Sequence, residues 1–389
     1  MKRLSIILLF QLLSCLSLIG QQFEDLAFGT ESTLEIMTWN IERFPKNGDT
    51  TLNYVIEIIE ALDVDIVAIQ EVDDLNYFNQ LSTSLDSYDG YIESVFFAGL
   101  AYLYKPDIIQ INNIYEIYTT AEYWNYFPRA PMVMDFNYKD DRYIVINNHF
   151  KCCGNGILDL DNTRDEETRR YYANSLLKEY VESNFSDENV IILGDLNDIL
   201  TDAPQNNVFQ MFLDDSDNYL FADYEIAADA NADWSYPSWP SHLDHILISN
   251  ELFDELEDAN SDIQTIKIED ALPGGWLAYD ENISDHRPVA LKLLTDSSLS
   301  VSNIDNPKPV FINYPNPFGS ETSFDFTSKI PPNKIDIYAI YGQKIRSIQI
   351  IEGKTSISWN SQGLSNGIYI AKLLSNGQVI ATRKLVLMK

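Results

Sequence analysis

The sequence predicts an α/β domain followed, across a polar linker, by a small all-β sandwich. Three observations carry this. From about residue 30 to 295, runs rich in Val, Ile and aromatic residues alternate with a few stretches of helical spacing. From 296 to 309, DSSLSVSNIDNPKP is polar, with two prolines near its end. From 310 to 389 only short alternating runs remain, broken by Gly and Asn turns. With 389 residues the chain has room for two ordinary domains, and 45% hydrophobic and 12% aromatic content supplies a sizeable core.

Taken in order, the first element is a leader. Lys2 and Arg3 precede an apolar stretch from Ser5 to Leu18, and polar Gln21 and Gln22 follow. This is the pattern of a secretory signal peptide over 1–20, cleaved near Gly20. Cys15 in LLSC offers the other reading, a lipidated cysteine, although the residues after it stay apolar. No other stretch reaches the roughly 20 apolar residues of a membrane span, so the mature chain is expected to have no transmembrane segment.

The domain at 30–295 has seven clear strand candidates: EIMTWNI, DIVAIQEV, PMVMDFNY, RYIVINNHF, NVIILGDL, LDHILIS and PVALKLL. Residues 50–62 and 164–182 have helical spacing, and Tyr172, Leu176, Leu177 and Tyr180 share a face of the second. After the 296–309 linker, the 310–389 block reads as strands in KIDIYAIYGQKI, TSISWN and GIYIAKLLSNGQVIATRKLVL. Asn376–Gly377 supplies a hairpin turn.

The net charge is −33, with 59 acidic residues. A field of this sign repels nucleic acid and anionic membranes at long range. A polyanionic substrate must therefore be held by a local site and by divalent cations.

Such a site is visible at the strand ends. The four histidines are His149, His242, His245 and His286, all at or beside the ends of strand-like runs. Asn40, Glu42, Glu71, Asp195, Asn197, Asp244 and Asp285 occupy the same kind of place. Polar residues there project from the sheet rim, where a site forms without burying a charge. The motifs TWNIE (38–42), QEV (70–72), NNHF (147–150), GDLND (194–198), HLDHIL (242–247) and SDHRP (284–288) run in the order found in the endonuclease/exonuclease/phosphatase superfamily, which this block resembles over nearly its whole length. The resemblance implies a four-layer α/β sandwich of two mixed β-sheets flanked by helices. It also implies hydrolysis of phosphate esters with a divalent metal, usually Mg2+, with Mn2+ or Ca2+ as alternatives.

Phosphodiester hydrolysis needs a water nucleophile, neutralisation of charge on the phosphoryl oxygens and help for the leaving oxygen. Glu71 is a hard oxygen ligand suited to magnesium, and the resemblance makes it the main metal ligand. Asn40 and Asp285 are expected on the metal side. Glu42, sharing a strand face with Asn40, is either a second metal contact or a solvated strand-end charge. By the same resemblance Asp195 orients or deprotonates the attacking water, Asn197 holds the phosphate, and His286, paired with Asp244, binds and polarises it. His149 matches the histidine of the deoxyribonuclease, sphingomyelinase and inositol-phosphatase branches, where it protonates the leaving oxygen or binds the phosphate. Gly194 is expected to leave room for the substrate. Arg129, in FPRAPMVMDF, matches an Arg-x-Pro segment beside the substrate phosphate. His242 stands where many relatives carry an arginine, and a structural part is expected for it and for His245.

Lys151, Arg164, Arg169 and Arg170 form local positive charge that could hold a phosphate; Arg169 and Arg170 are equally readable as solvated helix residues paired with Asp165, Glu166 and Glu167. Cys152 and Cys153 have only each other once the leader is gone, either as a vicinal disulfide or as two thiols.

The last block resembles the C-terminal sorting domain of proteins exported by the type IX secretion system, through YPNPF (314–318), IYAIYGQKI (337–345), GLSNGIYIAKL (363–373) and the basic end TRKLVLMK. That resemblance implies partnership with the secretion machinery and export to the cell surface or beyond. The function expected from the whole sequence is a secreted metal-dependent phosphodiesterase acting on nucleic acid. The rivals are a lipid or inositol-phosphate phosphoesterase, whose membrane contact would fall to Tyr123, Trp124, Tyr126 and Phe127 or to Trp234, Tyr236 and Trp239, and a non-catalytic binding protein on the same scaffold.

Overall fold

A computed structural model describes Phe23 and residues 26–295, apart from 94–97 and 140, and residues 310–388, apart from 317, 328–330, 340–342, 352 and 376–377. The expected leader at 1–20, the linker at 296–309 and the Asn376–Gly377 turn lie outside the described residues. The chain divides into two compact units, split between residues 297 and 298.

In the first unit the strands are β1 (Leu34–Phe44), β2 (Ile66–Val72), β3 (Asp89–Ile92), β4 (Gly99–Tyr104), β5 (Ile109–Glu116), β6 (Met132–Tyr138), β7 (Asp141–His149), β8 (Asn189–Asp195), β9 (Tyr219–Phe221), β10 (Asp244–Ser249), β11 (Asp262–Thr265) and β12 (Val289–Leu293). Its longer helices are α1 (Asp49–Leu62), α2 (Leu75–Ser84), α3 (Glu166–Asn184) and α4 (Gly275–Asn282). Among the described residues the strands form two six-stranded sheets, ordered β11-β12-β1-β2-β4-β3 and β5-β6-β7-β8-β10-β9. Each is antiparallel except for one central parallel pair, β1 with β2 and β7 with β8.

The period-two alternation of the strands builds the layers. Ile36, Ile66 and Ala68 face Met134, Val145, Ile191 and Ile246 in a core between the sheets. Their sequence neighbours Met37, Trp39, Val67 and Ile69 face the other way and pack with Val55, Ile58 and Ile59 of α1. On the far side of the second sheet, Ile144, Ile146 and Ile192 pack with Ala173, Leu177 and Val181 of α3. Each such fully buried aliphatic side chain contributes roughly 1.5–3 kcal/mol. The result is helix, sheet, sheet, helix: the four-layer sandwich.

One detail departs from expectation. The stripe facing the sheet from α3 is Ala173, Leu177 and Val181, while Tyr172, Leu176 and Tyr180 are only partly buried. The two stripes have the same spacing and lie one residue apart around the helix. Small Ala173 permits the close approach, and the larger side chains wrap the flank, Tyr180 Oη meeting Tyr115 Oη at 2.9 Å.

The second unit contains β13 (Val310–Tyr314), β14 (Glu321–Thr327), β15 (Lys334–Ala339), β16 (Lys344–Gln349), β17 (Ser356–Asn360), β18 (Gly367–Ser375) and β19 (Gln378–Leu387). They form antiparallel sheets ordered β13-β14-β17 and β16-β15-β18-β19 around one apolar cluster that includes Phe311, Phe324, Ile335, Ile337, Trp359 and Leu373. No helix among the described residues is long and apolar enough to cross a membrane.

Candidate active site

The two central parallel pairs reach the same rim, and polar side chains stand at or near their ends. Asn40 of β1, Glu71 of β2, His149 of β7 and Asp195 of β8 meet there, with His286 arriving on the loop before β12. Asn40 Nδ2 donates to Asp195 Oδ2 at 2.9 Å and lies 3.3 Å from Glu71 Oε1, linking the two sheets. His149 Nε2 stands 3.4 Å from Asp195 Oδ2 and 3.8 Å from Glu71 Oε1. His286 Nδ1 donates to Asp244 Oδ2 at 2.7 Å, which leaves its Nε2 facing Asp195 Oδ2 at 3.8 Å and Asp285 Oδ1 at 4.0 Å. Glu71, His149, Asp195, Asn197, Asp285 and His286 all line one cleft of about 800 Å³.

Glu71 gets there by a bulge. By strict alternation it would follow Val67 and Ile69 toward the helices. The register of β2 shifts beyond Ile69, and Glu71 adopts φ +66°, in the left-handed region that Glu rarely occupies. Its carboxylate then accepts the Arg43 N–H at 3.0 Å. Asn197 is also left-handed, at φ +55°, a conformation asparagine tolerates, with its N–H on Asp195 Oδ1 at 3.1 Å. Backbone strain of this kind costs on the order of 1–3 kcal/mol and concentrates at functional sites.

The electrostatics separate the groups. Burial raises the Asp195 carboxyl to about 7; His286 and the Asn40 bond pull it down, while Asp244 and Glu71 push it up. Burial opposes charge on His286, but Asp244 and then Asp195 outweigh it and raise the imidazole to about 10. His149 goes the other way. Burial, then Arg129 and His286, hold it well below the ordinary histidine range, so the ring is neutral. Burial also raises Asp285, with Glu42 and Glu71 adding to the rise.

The remaining expected residues divide. Arg129 is half-buried, with Glu71 and Asp195 within its electrostatic reach, and burial lowers its pKa. Lys151 lies beside the cleft, with Nζ on Cys152 O at 2.9 Å. Two expected residues have other surroundings. Glu42 pairs with Lys46, which also reaches Asp280 at 3.4 Å, as the strand-end charge of the second reading would. Arg164 is exposed ahead of α3 and lines neither this cleft nor the cavity beside it. Arg170 is buried instead: its Nε meets Asp198 Oδ2 at 2.9 Å, and its Nη1 donates to the carbonyls of Lys151 and Cys153. It staples the loop after His149.

Gly194 also changes meaning. With φ +140°, a Cβ there would sit 1.9 Å from the Asn148 carbonyl oxygen, so strand β7, and not a substrate, demands the glycine. Cys152 and Cys153 are exposed and unbonded in this structure, with Sγ atoms 2.9 Å apart. His242 and His245 both bond to buried Asp223, at 3.1 and 2.6 Å, and His242 also reaches the cleft wall.

Three positioning residues carry no local sequence signal. Ser284 Oγ donates to Asn40 O at 2.7 Å and accepts from the N–H of His286 at 3.0 Å. Tyr279 Oη accepts from Trp39 Nε1 at 3.0 Å and donates to His286 O at 2.5 Å. Tyr236 lies against the His286 ring, centroids 4.7 Å apart.

Among the described residues, three groups of side chains bring possible ligand atoms together: Asp223 with His242 and His245, Asp195 with Asp244 and His286, and Asp165 with Glu166 and Glu167. The first two are already knit by imidazole–carboxylate bonds, and the raised His286 supplies the second with its own positive charge. In the third, Asp165 caps α3 through the Thr168 N–H and Glu167 accepts from Gly156. Glu71 offers a better cation site. It is a hard carboxylate at the cleft with Asp285 in repulsive range, and the Asn40 Oδ1 beside it is buried without a hydrogen-bond partner.

Comparison with known proteins agrees with this geometry. The chain matches the model of the endonuclease/exonuclease/phosphatase family over residues 37–286. It matches that of the secretion system C-terminal sorting domain over 313–388, which implies export across the outer membrane. No curated protein matches. Among solved structures, D. rerio TDP2 complexed with a single strand DNA product aligns at TM-score 0.52 and 14% identity, covering 68% of this chain and 100% of that one. A humanized D. rerio TDP2 gives 0.51 at 14%, with the same coverage. The human Nocturnin catalytic domain with bound sulfate gives 0.50 at 17%, covering 67% and 93%. At such identities the likeness shows the fold alone. From the family match, together with the converging rim residues, the chain belongs to the endonuclease/exonuclease/phosphatase family, whose members are generally metal-dependent phosphoesterases, and it carries a type IX sorting domain.

Proposed function

We propose that the protein is a secreted, magnesium-dependent phosphodiesterase that cleaves extracellular nucleic acid. The observation that carries this is the convergence of Glu71, His149, Asp195 and His286 on one cleft, with Asn40 bonded to Glu71 and Asp195 behind it. Glu71, with Asp285 and Asn40, would hold the metal, which when bound would neutralise charge on the phosphoryl oxygens.

The chain's own groups divide the remaining work. Asp195, raised to about 7, is poised to take a proton from the attacking water near neutral pH. His286, charged and held by Asp244, stabilises negative charge growing on the phosphoryl group through Nε2. His149 is neutral, which suits hydrogen bonding to a phosphoryl oxygen better than protonating the leaving oxygen. Asn197 stands at the cleft wall to hold the phosphate. Arg129 and Lys151 add positive charge on the His149 side.

Nucleic acid is favoured over lipid by the aromatics. Phe127 is buried, Tyr123 and Tyr126 pack on the α3 side core, and Tyr236 faces His286. That leaves Trp124 and Trp239 as the well-exposed rings of the two groups, too few for a membrane patch. The D. rerio structure of the same fold was solved with a DNA product. Export through the sorting domain fits scavenging outside the cell.

The test is a substrate panel. The purified protein is incubated with magnesium and single-stranded DNA, plasmid DNA, RNA, sphingomyelin or a phosphoinositide, beside Glu71→Ala and His286→Ala controls. Nucleic-acid cleavage lost in both controls supports the proposal. Choline phosphate or inositol products with intact nucleic acid would transfer the activity to the rival substrates. No turnover of any ester would leave a binding protein.

A further inference from the structure

A second cavity of about 550 Å³ opens beside the cleft, within the roughly 300–1,000 Å³ range of small-molecule pockets. Cys152 lines both, and Arg129, in the second cavity, has Glu71 and Asp195 in electrostatic reach. The two are therefore neighbours across the loop that follows His149.

Its walls are of two kinds. Leu100, Phe127 and Trp124 give an apolar and aromatic side, and Arg129, Lys151 and Arg169 give a cationic one. The parts are held in place. Trp124 Nε1 donates to Thr119 O at 3.2 Å, which fixes the indole while leaving it 62% exposed. Arg169 Nε donates to Asn125 O, joining α3 to the turn that carries Trp124. Glu116 is the one acid among the lining residues. Three cations against one acid is a local reversal in a chain of net charge −33.

We propose that this cavity is a nucleotide subsite, which takes the nucleotide next to the scissile phosphate with its base on Trp124 and its phosphate toward Arg169 and Lys151. A base has a flat π-face that stacks on an indole, and the phosphate it carries is an anion suited to the cationic wall. The rival headgroups fit worse. A phosphocholine can give its phosphate to the cationic wall, but it brings the indole a compact ammonium with no flat face to stack and a charge repelled by three nearby cations, and an inositol phosphate brings no flat π-face to the aromatic side. The placement of the scissile phosphate rests on the phosphodiesterase reading above.

The experiment measures binding and cleavage separately. Adenosine 5′-monophosphate, inorganic phosphate and phosphocholine are titrated by calorimetry into the full chain in chelator, using the wild type, Trp124→Ala, Trp124→Phe and Trp239→Ala. Hydrolysis of a short single-stranded oligonucleotide with magnesium is followed in parallel. The subsite predicts adenosine monophosphate binding that weakens about tenfold in Trp124→Ala, is largely kept in Trp124→Phe and is unchanged in Trp239→Ala. Phosphate and phosphocholine should bind more weakly and be indifferent to Trp124. Nucleotide binding that depends on Trp239, or that ignores Trp124, or that is no tighter than phosphate, would overturn the subsite even if the oligonucleotide is cut. Trp124-dependent nucleotide binding without cleavage would keep the subsite and remove the nuclease reading.

Discussion

His286 carries a charged ring into a buried place, and that charge depends first on one neighbour. Asp244, fully buried at the start of β10, accepts its Nδ1–H at 2.7 Å and keeps the ring charged. Asp244→Asn keeps the size and removes the charge. It should lower the histidine's titration from about 10, as followed by NMR, and cut kcat on the order of 10²-fold or more, with the fold intact. A variant with unchanged titration and rate would remove His286 from the charge-stabilising role. Arg170 is a buried charge of another kind, with Asp198 opposite it and two loop carbonyls on its guanidinium. Arg170→Leu strands Asp198 and should cost about 3–5 kcal/mol in denaturant melts. A loss below about 1 kcal/mol would show that the loop anchor is dispensable. The His286 motif was legible in the sequence; for Arg170 only the helical neighbour Glu167, 3.7 Å away, was legible, because Asp198 and the two loop carbonyls are distant in the chain.

At the scale of elements, the site exists because parallel pairs from two sheets end together and cross-links hold their ends in register. Ser284 ties the loop before β12 to β1, and Tyr279 of α4 braces the same loop from beneath. Tyr279→Phe leaves the Trp39 N–H and the His286 carbonyl buried without that partner. It should destabilise by about 1–3 kcal/mol and raise KM or lower kcat without altering secondary structure by circular dichroism. An unchanged melting midpoint would contradict the brace. The strands themselves were readable, since runs such as NVIILGD and DIVAIQEV are Val/Ile-rich and bounded by polar residues. What alternation misses is a break in alternation: Glu71 reaches the cleft only through a left-handed bulge. Gly194 was read as space for a substrate because the neighbouring strand that fills that space comes from 46 residues earlier, at Asn148. The α3 face was displaced by one residue because Ala173 carries little hydrophobic signal in sequence but is the right size for the closest contact.

For the whole molecule, charge and burial set the pH window. Burial favours a neutral His245, but Asp223 outweighs it and its pKa is raised; His242 also bonds this Asp, and Asp244 adjoins it in sequence. Burial opposes charge on Asp223 too, yet His245 and then His242 hold its pKa below the ordinary range. The raised histidine stabilises fully below its unfolded value of about 6.5, and this is lost as pH rises through the folded value. The lowered aspartate stabilises above its unfolded value of about 3.9, and this is lost as pH falls. The cluster should therefore contribute most between about pH 4 and 6.5, and His245→Gln should flatten that part of the melting-midpoint profile. A mutant profile parallel to the wild type would contradict it. The central claim, that Glu71 holds a divalent metal for phosphodiester hydrolysis, has one direct measurement. Oligonucleotide turnover is followed in the purified chain after chelation and again after magnesium is returned, for the wild type and Glu71→Ala. Loss on chelation is expected, with recovery on magnesium in the wild type and no recovery in Glu71→Ala. Equal turnover in chelator, or full recovery in Glu71→Ala, would contradict it.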